Sequence, residues 1–386
     1  MNGLRLIFFC TAITLSLTSP AAAPAPASVP PQDAALRDLG RAWLEQYQGI
    51  GLSIGIYDDG KSYFYNFGAT QLEGNRAPTK DTVYEIGSIS KTMAGQLLAR
   101  AIVESRAAAG DEIERYLGEP YPNLAQDGEK IRLIHLANMT SQLIDNIPDL
   151  TQVRLVPGEP LEATRMQVLE RYTQAEFLQQ LHRVAPRAKP GSDPAHSNVA
   201  SMLLGVALEK IYDEPFETIL AREIEKPLRM GSGTQPDPKL LAKGYTEKNE
   251  PLPAFSAPMT YPSVGLRYST EALLRYAAWQ LVERDASVKL AHQPTWYTPD
   301  RRQSVAMYWI VSDTPRGRRL QYSGGTYGFT SMVALLPEAK LAVVLLSNKA
   351  AEGAQDTLRA LSAKIVEQLR PEPVSPPPAD VPQPSR

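Results

Sequence analysis

Ser88 and Lys91 are the residues whose types and spacing most directly suggest chemistry in this sequence. Apolar residues recur at three- to four-residue intervals over residues 89–102, which predicts a helix that begins near Ser88. Side chains three residues apart lie on the same face of a helix. A partly desolvated lysine amine can lose its proton near neutral pH and accept the proton of a serine, so the pair contains the parts of an activated nucleophile. Taken alone, the spacing has a second explanation. A serine that caps a helix, followed by a lysine in solvent, would show the same pattern.

A second motif, from Gly55 to Ser62, matches the glycine-rich pattern of phosphate-binding loops but is excluded by its context. Such a loop must be followed by a helix whose N-terminus holds the phosphates, whereas Ser62 is followed by the strand-like run YFYNF. Asp58 and Asp59 would also repel a phosphate. The Asp59-Gly60 pair lies between two apolar alternations and therefore indicates a β-hairpin.

The segment from Tyr84 to Thr92 resembles the active-site segment of the class C β-lactamases and their relatives, the D-Ala-D-Ala carboxypeptidases and β-lactamase-like esterases. Further segments resemble later elements of that family in the same order, over about residues 50–350. These segments are Pro190-Gly191, His196-Ser197-Asn198, Leu203-Leu204-Gly205, residues 226–230, Gly265-Leu266 with Ser269-Thr270, residues 322–329 and residues 345–348.

The resemblance implies a role for each matched position. Ser88 would be the nucleophile that forms an acyl-enzyme, and Lys91 would assist its deprotonation. The backbone N–H groups of Ser88 and Gly325 would form an oxyanion hole. Gly324 and Gly325 would let a substrate lie close against a strand edge, and Asn198 would hydrogen-bond both the substrate amide and Lys91.

Two positions depart from the family pattern. His196 stands where relatives carry a tyrosine that takes and returns protons; histidine can do this work, or it could merely fill the space. Tyr322 stands where relatives carry a Lys or His that faces a substrate carboxylate, while Ser323 keeps a hydroxyl. Loss of that cation is expected to weaken carboxylate recognition by about 1–3 kcal/mol. The segment NMTSQL at 138–143 also differs from the usual THTSGL.

The elements that must position these residues follow from the hydrophobic pattern. We expect an α/β protein of the α+β type, with a five-stranded antiparallel sheet flanked by N- and C-terminal helices and a large, mostly helical insertion. This is also the β-lactamase/transpeptidase-like fold that the resemblance implies. The predicted helices cover 34–48 and 350–370, and the predicted strands cover 51–57, 61–67, 319–323, 329–336 and 341–347.

Composition narrows the class of function. The 386 residues carry 40 Lys and Arg against 42 Asp and Glu, a balance that argues against a nucleic-acid partner or attraction to anionic lipid. The single cysteine, Cys10, excludes an intrachain disulfide. The four histidines are too scattered to suggest a zinc site, and the expected chemistry requires no metal or organic cofactor.

The two ends of the chain differ in composition from its middle. Arg5 followed by a short apolar run and small residues predicts a secretory signal peptide, with a membrane anchor as the alternative. A cleaved signal leaves no stable membrane span and predicts a periplasmic or secreted protein. The predicted divisions are a signal peptide at 1–27, a linker at 28–32, a hydrolase domain at 33–370 (sheet parts about 50–85 and 305–370, insertion about 86–304) and a disordered Pro-rich tail at 371–386.

Three functions remain open from the sequence. The first is a serine hydrolase that cleaves an amide, either a β-lactam or a D-amino-acid peptide, through an acyl-serine. The second is an esterase or amidase for substrates without a carboxylate, which Tyr322 favours. The third is a non-hydrolytic, penicillin-binding-like scaffold, which the departures at His196 and Tyr322 favour. The expected partner is a small molecule or peptide, and the sequence leaves the oligomeric state undetermined.

Overall fold

A central antiparallel sheet organises the part of the chain that the computed structural model describes, which is residues 30–74, 76–154 and 156–371. The strands are β1 (Gly51–Asp58), β2 (Lys61–Gly68), β3 (Val83–Glu85), β4 (Ala125–Gln126), β5 (Glu129–Lys130), β6 (Arg267–Ser269), β7 (Trp296–Tyr297), β8 (Gln303–Ala306), β9 (Trp309–Thr314), β10 (Gly317–Gly325), β11 (Thr330–Leu336) and β12 (Leu341–Ser347). Eight of them form the main sheet in the order β2-β1-β12-β11-β10-β9-β8-β7, while β3 pairs with β6 and β4 with β5.

Helices cover both faces of this sheet. They are α1 (Asp33–Gln46), α2 (Ser90–Val103), α3 (Leu133–Ala137), α4 (Leu161–Arg171), α5 (Gln174–Leu181), α6 (Asn198–Tyr212), α7 (Phe216–Leu220), α8 (Lys226–Leu228), α9 (Thr270–Val282), α10 (Ala286–Ala291) and α11 (Ala354–Leu369). Between β3 and β7 the described chain is mostly helix and loop, as the apolar pattern predicted.

The expected five-stranded sheet is wrong, because the main sheet has eight strands. The additional strands β7, β8 and β9 extend the sheet beyond β10. Ala306 pairs with Trp309, so β8 and β9 are joined by a two-residue turn formed by Met307 and Tyr308. Both turn residues have positive φ (40° and 76°), a conformation in which Asn and Gly are the usual residues. The hairpin therefore lacks the sequence signal by which hairpins are recognised.

Strand β12 lies inside the sheet and contributes to both hydrophobic layers. Val343 and Leu345 pack with α1 and α11 on one face, while Val344 and Leu346 belong to the core shared with α2, α6 and α9. All seven residues of the strand are buried, which explains its continuous apolar sequence. The first and last helices thus cover one face of the sheet, and helices of the insertion cover the other.

Several predictions concern residues at the ends of the chain. The signal peptide predicted at 1–27, residues 28–29 of the linker and residues 372–386 of the predicted tail lie outside the described residues. Within the described ranges, no helix has both the length and the apolar character needed to cross a bilayer.

Candidate active site

Ser88 lies on a single 3₁₀ turn, Gly87–Ile89, that leads into α2. The helix begins two residues later than the sequence predicted, at Ser90, whose hydroxyl donates to the Gly87 carbonyl (2.7 Å) and closes the turn. Gly87 has a φ of +52°, which an L side chain would adopt only with strain. Ser88 is 9% exposed, so its hydroxyl is held on a rigid turn at the edge of solvent.

Lys91 is buried and its amine lies among three oxygens. Its Nζ is 2.9 Å from Ser88 Oγ, 2.7 Å from Asn198 Oδ1 and 3.2 Å from the Ser263 carbonyl oxygen. Burial lowers the pKa of Lys91 to about 7, although the charge of Asp145 opposes this shift. A substantial fraction of the amine is therefore neutral near pH 7, and in that form it can accept the serine proton.

Asn198 is the first residue of α6, and hydrogen bonds hold both the oxygen and the nitrogen of its side-chain amide. Its Oδ1 accepts from Lys91 Nζ and from Ser263 Oγ (2.8 Å), and its Nδ2 donates to Asn146 Oδ1 (2.8 Å). The side chain of Ser197 caps the helix by accepting from the backbone of the third residue of α6. The amide orientation follows from these partners, because the oxygen must face the donors.

His196 forms a short contact with a carboxylate. Its Nδ1 lies 2.7 Å from Asp145 Oδ1, and both side chains are about half exposed. The Asp145 carbonyl accepts from the backbone N–H groups of Asn198 (2.9 Å) and Val199 (3.1 Å), which ties this loop to the start of α6. Burial raises the pKa of Asp145, but the bond and charge of His196, the Asn198 N–H and the charge of Lys91 together lower the pKa overall. An ionised carboxylate on Nδ1 favours the tautomer in which Nε2 can accept a proton.

The end of β10 packs closely against the 3₁₀ turn Gly87–Ile89, called the nucleophile turn below because it carries Ser88. A Cβ on Gly324 would lie 2.2 Å from the Ile86 carbonyl oxygen and 2.9 Å from the Ser88 amide nitrogen. A Cβ on Gly87 would lie 2.5 Å from the Gly325 nitrogen. Both contacts are with backbone, so no side chain can move away to make room. The glycines are required by this close approach, which brings the backbone of Gly325 next to the turn that carries Ser88.

Tyr322 and Ser323 occupy the same end of β10. Tyr322 is 7% exposed, its hydroxyl donates to Met139 Sδ (3.4 Å), and its ring contacts Tyr308 edge-on at 6.5 Å. Burial raises the pKa of Tyr322 well above its usual value, so it is neutral. Ser323 Oγ donates to Gln355 Oε1 on α11 (2.8 Å). Neither residue supplies the positive charge that the family pattern has at this point.

Four of the predicted site residues line one cleft of about 600 Å³: Ser88, His196, Tyr322 and Ser323. Its lining residues come from the nucleophile turn, the insertion, the sheet and α11, and they are Ser88, Met139, His196, Gln303, Ile310, Gln321, Tyr322, Ser323, Met332, Gln355 and Arg359. A cavity of about 660 Å³ beside α6 and α7 contains none of the predicted site residues. We therefore regard the first cleft as the candidate active site.

The sequence analysis missed three polar residues that contact the side chains of Lys91, His196 and Asn198. Asp145 and Asn146 lie in the loop after α3, and Ser263 precedes β6. The only sequence signal near the first two is the departing NMTSQL segment just before them. Ser263 lies in a loop with no recognisable motif, and only the folded chain brings its oxygens within 3.2 Å of Lys91 Nζ and 2.8 Å of Asn198 Oδ1.

The comparison with known proteins gives a consistent result. The family model described as Beta-lactamase matches residues 34–367. A β-lactamase of Lysobacter lactamgenus is 24% identical over 390 residues, covering 89% of this chain and 94% of that protein. The D-alanyl-D-alanine-carboxypeptidase/endopeptidase AmpH of Escherichia coli (strain K12) is 24% identical over 309 residues, covering 75% and 77%.

Solved structures share the fold at low sequence identity. A class C β-lactamase has a TM-score of 0.74 at 19% identity, covering 87% of this chain and 96% of the other. A β-lactamase/D-alanine carboxypeptidase from Pseudomonas syringae has a TM-score of 0.72 at 20% identity, covering 88% and 99%. The chain belongs to the β-lactamase family. It is a serine hydrolase of the β-lactamase/DD-peptidase type, as the resemblance of its motifs implied.

Proposed function

We propose that this protein cleaves an amide bond, in a β-lactam or a D-amino-acid peptide, through an acyl-enzyme on Ser88. The observation that carries the proposal is the 2.9 Å separation of Ser88 Oγ from the buried Lys91 amine. The pKa of that amine, lowered by burial to about 7, suits it to accept the serine proton. A structural lysine would instead be expected to keep its charge and a carboxylate partner.

Acylation uses the groups around Ser88. Lys91 Nζ takes the proton from Ser88 Oγ as the oxygen bonds to the substrate carbonyl carbon. The backbone N–H groups of Ser88 and Gly325 stabilise the resulting oxyanion. The C–N bond then breaks, and the leaving nitrogen receives the proton held by Lys91. Asn198 holds the substrate amide, since its own amide is already oriented by Lys91, Ser263 and Asn146.

Deacylation uses His196 as the base. Its Nε2 takes a proton from water as the water oxygen bonds to the acyl carbon, and the C–Oγ bond breaks with return of a proton to Ser88. Asp145 acts as a positioning residue, because it accepts from Nδ1 and so stabilises the imidazolium that forms. This pair would take the place of the tyrosine found in relatives.

The esterase alternative rests on the absence of a cation at Tyr322, and the relatives named above do not favour it.

The predicted signal peptide at 1–27 supports a periplasmic or secreted location. The predicted division into a hydrolase domain at 33–370, with linker and tail at its ends, is part of this proposal.

Intact-mass spectrometry tests the proposal. The protein is mixed with a penicillin or with an activated ester, and the adduct is followed in time and mapped by peptide digestion. We expect a transient penicillin adduct on Ser88, no adduct in Ser88→Ala, and an adduct that persists about a hundredfold longer in Asp145→Asn. Labelling that survives Ser88→Ala contradicts the nucleophile assignment. Turnover of the ester alone supports the esterase alternative, and a permanent adduct in the wild type supports the non-hydrolytic scaffold.

A further inference from the structure

A group of arginines lies near the cleft, on β10 and α11. Arg359, on α11, lines the same cleft as Ser88. Arg319, on β10, is partly buried, and its Nε and Nη2 atoms are buried without a hydrogen-bond partner in the described part of the chain. Burial lowers the pKa of Arg319, and the nearby charges of Arg359 and Arg316 lower it further. Several positive charges are therefore close together at this place.

The strand and helix geometry connects this group to the nucleophile. Alternate residues of a strand face the same side, so Arg319, Gln321 and Ser323 lie on one face of β10. Ser323 bonds to Gln355 on α11, and Arg359 lies one helical turn further along. Four strand residues span about 13 Å, so the backbone of Arg319 lies about that far along β10 from Ser323, away from the end of the strand that meets the Ser88 turn.

The charges here are only partly compensated. Arg359 pairs with Asp356, and Arg316 pairs with Glu367. By contrast, the described residues supply no ion pair to Arg319. Gln321 Oε1, which belongs to a side chain lining the cleft, is also buried without a partner in the described ranges. Buried polar groups are almost always satisfied in folded proteins, so an unpaired donor and an unpaired acceptor on the same face of one strand call for an explanation.

We propose that Arg319 and Arg359 form a distal subsite for an anionic group of the substrate, with Gln321 as an acceptor for a neighbouring N–H. The ligand class is an acyl compound or peptide with a carboxylate roughly 10 Å or more from the scissile carbonyl. This inference rests on the proposed function, because the subsite is defined relative to attack by Ser88. It differs from recognition of a carboxylate next to the scissile bond, where Tyr322 offers no charge.

Matched ester pairs test the subsite. The substrates are the mono-p-nitrophenyl esters of succinic, suberic and dodecanedioic acids, each compared with its counterpart in which the free carboxyl is capped as a methyl ester. We expect the wild type to prefer the free carboxylate about tenfold in kcat/KM for the longest member, chiefly through KM, and to show little preference for the shortest. The preference is expected to shrink as salt is raised.

Substitutions of the two arginines then show whether they supply the positive charge that recognises the carboxylate. Arg319→Gln and Arg359→Gln are each expected to remove most of the tenfold preference, measured within each variant as the ratio of kcat/KM for the free and the capped ester. Lys364→Gln is the matched control, since this exposed residue lies on α11 but does not line the cleft, and it should keep the preference. Arg359→Glu, an exposed position that tolerates substitution, should reverse the preference even if Arg319→Gln folds poorly.

The outcomes separate this inference from the proposed function. Equal hydrolysis of free and capped long esters by the wild type, or a preference that survives both arginine substitutions, overturns the subsite. Absence of any acyl adduct on Ser88 overturns the proposed function instead.

Calorimetric titration of Ser88→Ala with dodecanedioate tests the subsite by binding alone, because it does not require turnover. Binding that is weakened about tenfold by Arg359→Gln supports the subsite, and the absence of binding contradicts it.

Discussion

At the scale of single residues, the burial of Lys91 links the structure to catalysis. Its amine is surrounded by a hydroxyl, an amide oxygen and a carbonyl oxygen, none of which carries a full negative charge. Asp145 acts on it only as a more distant charge, which raises its pKa but does not cancel the effect of burial. The site thus leaves a substantial fraction of the lysine uncharged near pH 7, where it must act as a base.

The pH dependence of acylation follows from this shift. Protonated Lys91 cannot accept the Ser88 proton, so the acylation rate should rise with pH and level off above about 7, the pKa of Lys91. Stopped-flow measurement with an activated ester gives this profile. Lys91→Arg should lower the rate roughly 10²–10⁴-fold and abolish the inflection, because a guanidinium stays protonated. An unchanged inflection in Lys91→Arg would assign it to another group.

The residue scale is also where prediction from sequence succeeded and failed most clearly. Ser88 and Lys91 were recognisable because both lie within one local segment, so three-residue spacing determined their proximity. Asp145 and Ser263 contribute equally short contacts, but they reach the site from loops far away in the chain. Their proximity depends on the packing of α3, α6 and β6, and no local pattern in the sequence encodes it.

At the scale of elements, the contact between β10 and the nucleophile turn determines the shape of the site. Gly324→Ala would place a Cβ 2.2 Å from the Ile86 carbonyl oxygen, so the strand or the turn must shift. We expect a loss of at least a hundredfold in kcat/KM, since small displacements of a nucleophile are costly.

Gly325→Ala provides the comparison for this prediction. Its added Cβ would meet Gln355 Nε2 at 2.9 Å, and the end of a flexible side chain can move away. The loss should therefore be clearly smaller than for Gly324→Ala, with kcat/KM measured on the same ester for both. Equal losses would show that the backbone contact at Gly324 is not the deciding feature.

The elements also show what local patterns can encode. The hairpin of β1 and β2 was predicted to within one residue at each end, and β12 was predicted with its observed bounds, because Asp-Gly and a continuous apolar run are strong signals. The turn at Met307 and Tyr308 carried no such signal. Tyr308 is buried against Tyr322, and its N–H donates to the Ala137 carbonyl oxygen (2.7 Å), so tertiary contacts hold that turn in place.

At the scale of the whole molecule, the central sheet packs against a layer of helices on each face, and one strand contributes to both layers. Alternate residues of β12 contact the layer of α1 and α11 on one face and the helices of the insertion on the other. A change in either layer therefore acts on the same strand. The 600 Å³ cleft also draws its lining from both sides, with His196 from the insertion and Arg359 from α11.

Cooperative unfolding is the expected consequence of this shared strand. Ile365→Ala in α11 and Leu203→Ala in the insertion each remove a side chain that is 0% exposed, at a cost of about 2–5 kcal/mol. Both should lower the midpoint of one urea transition, followed by near-UV and far-UV circular dichroism together. If the insertion unfolded independently, Leu203→Ala would produce a separate early transition that leaves the midpoint of the second unchanged. The double variant distinguishes the cases further, because a single cooperative unit requires both losses to appear in the same transition.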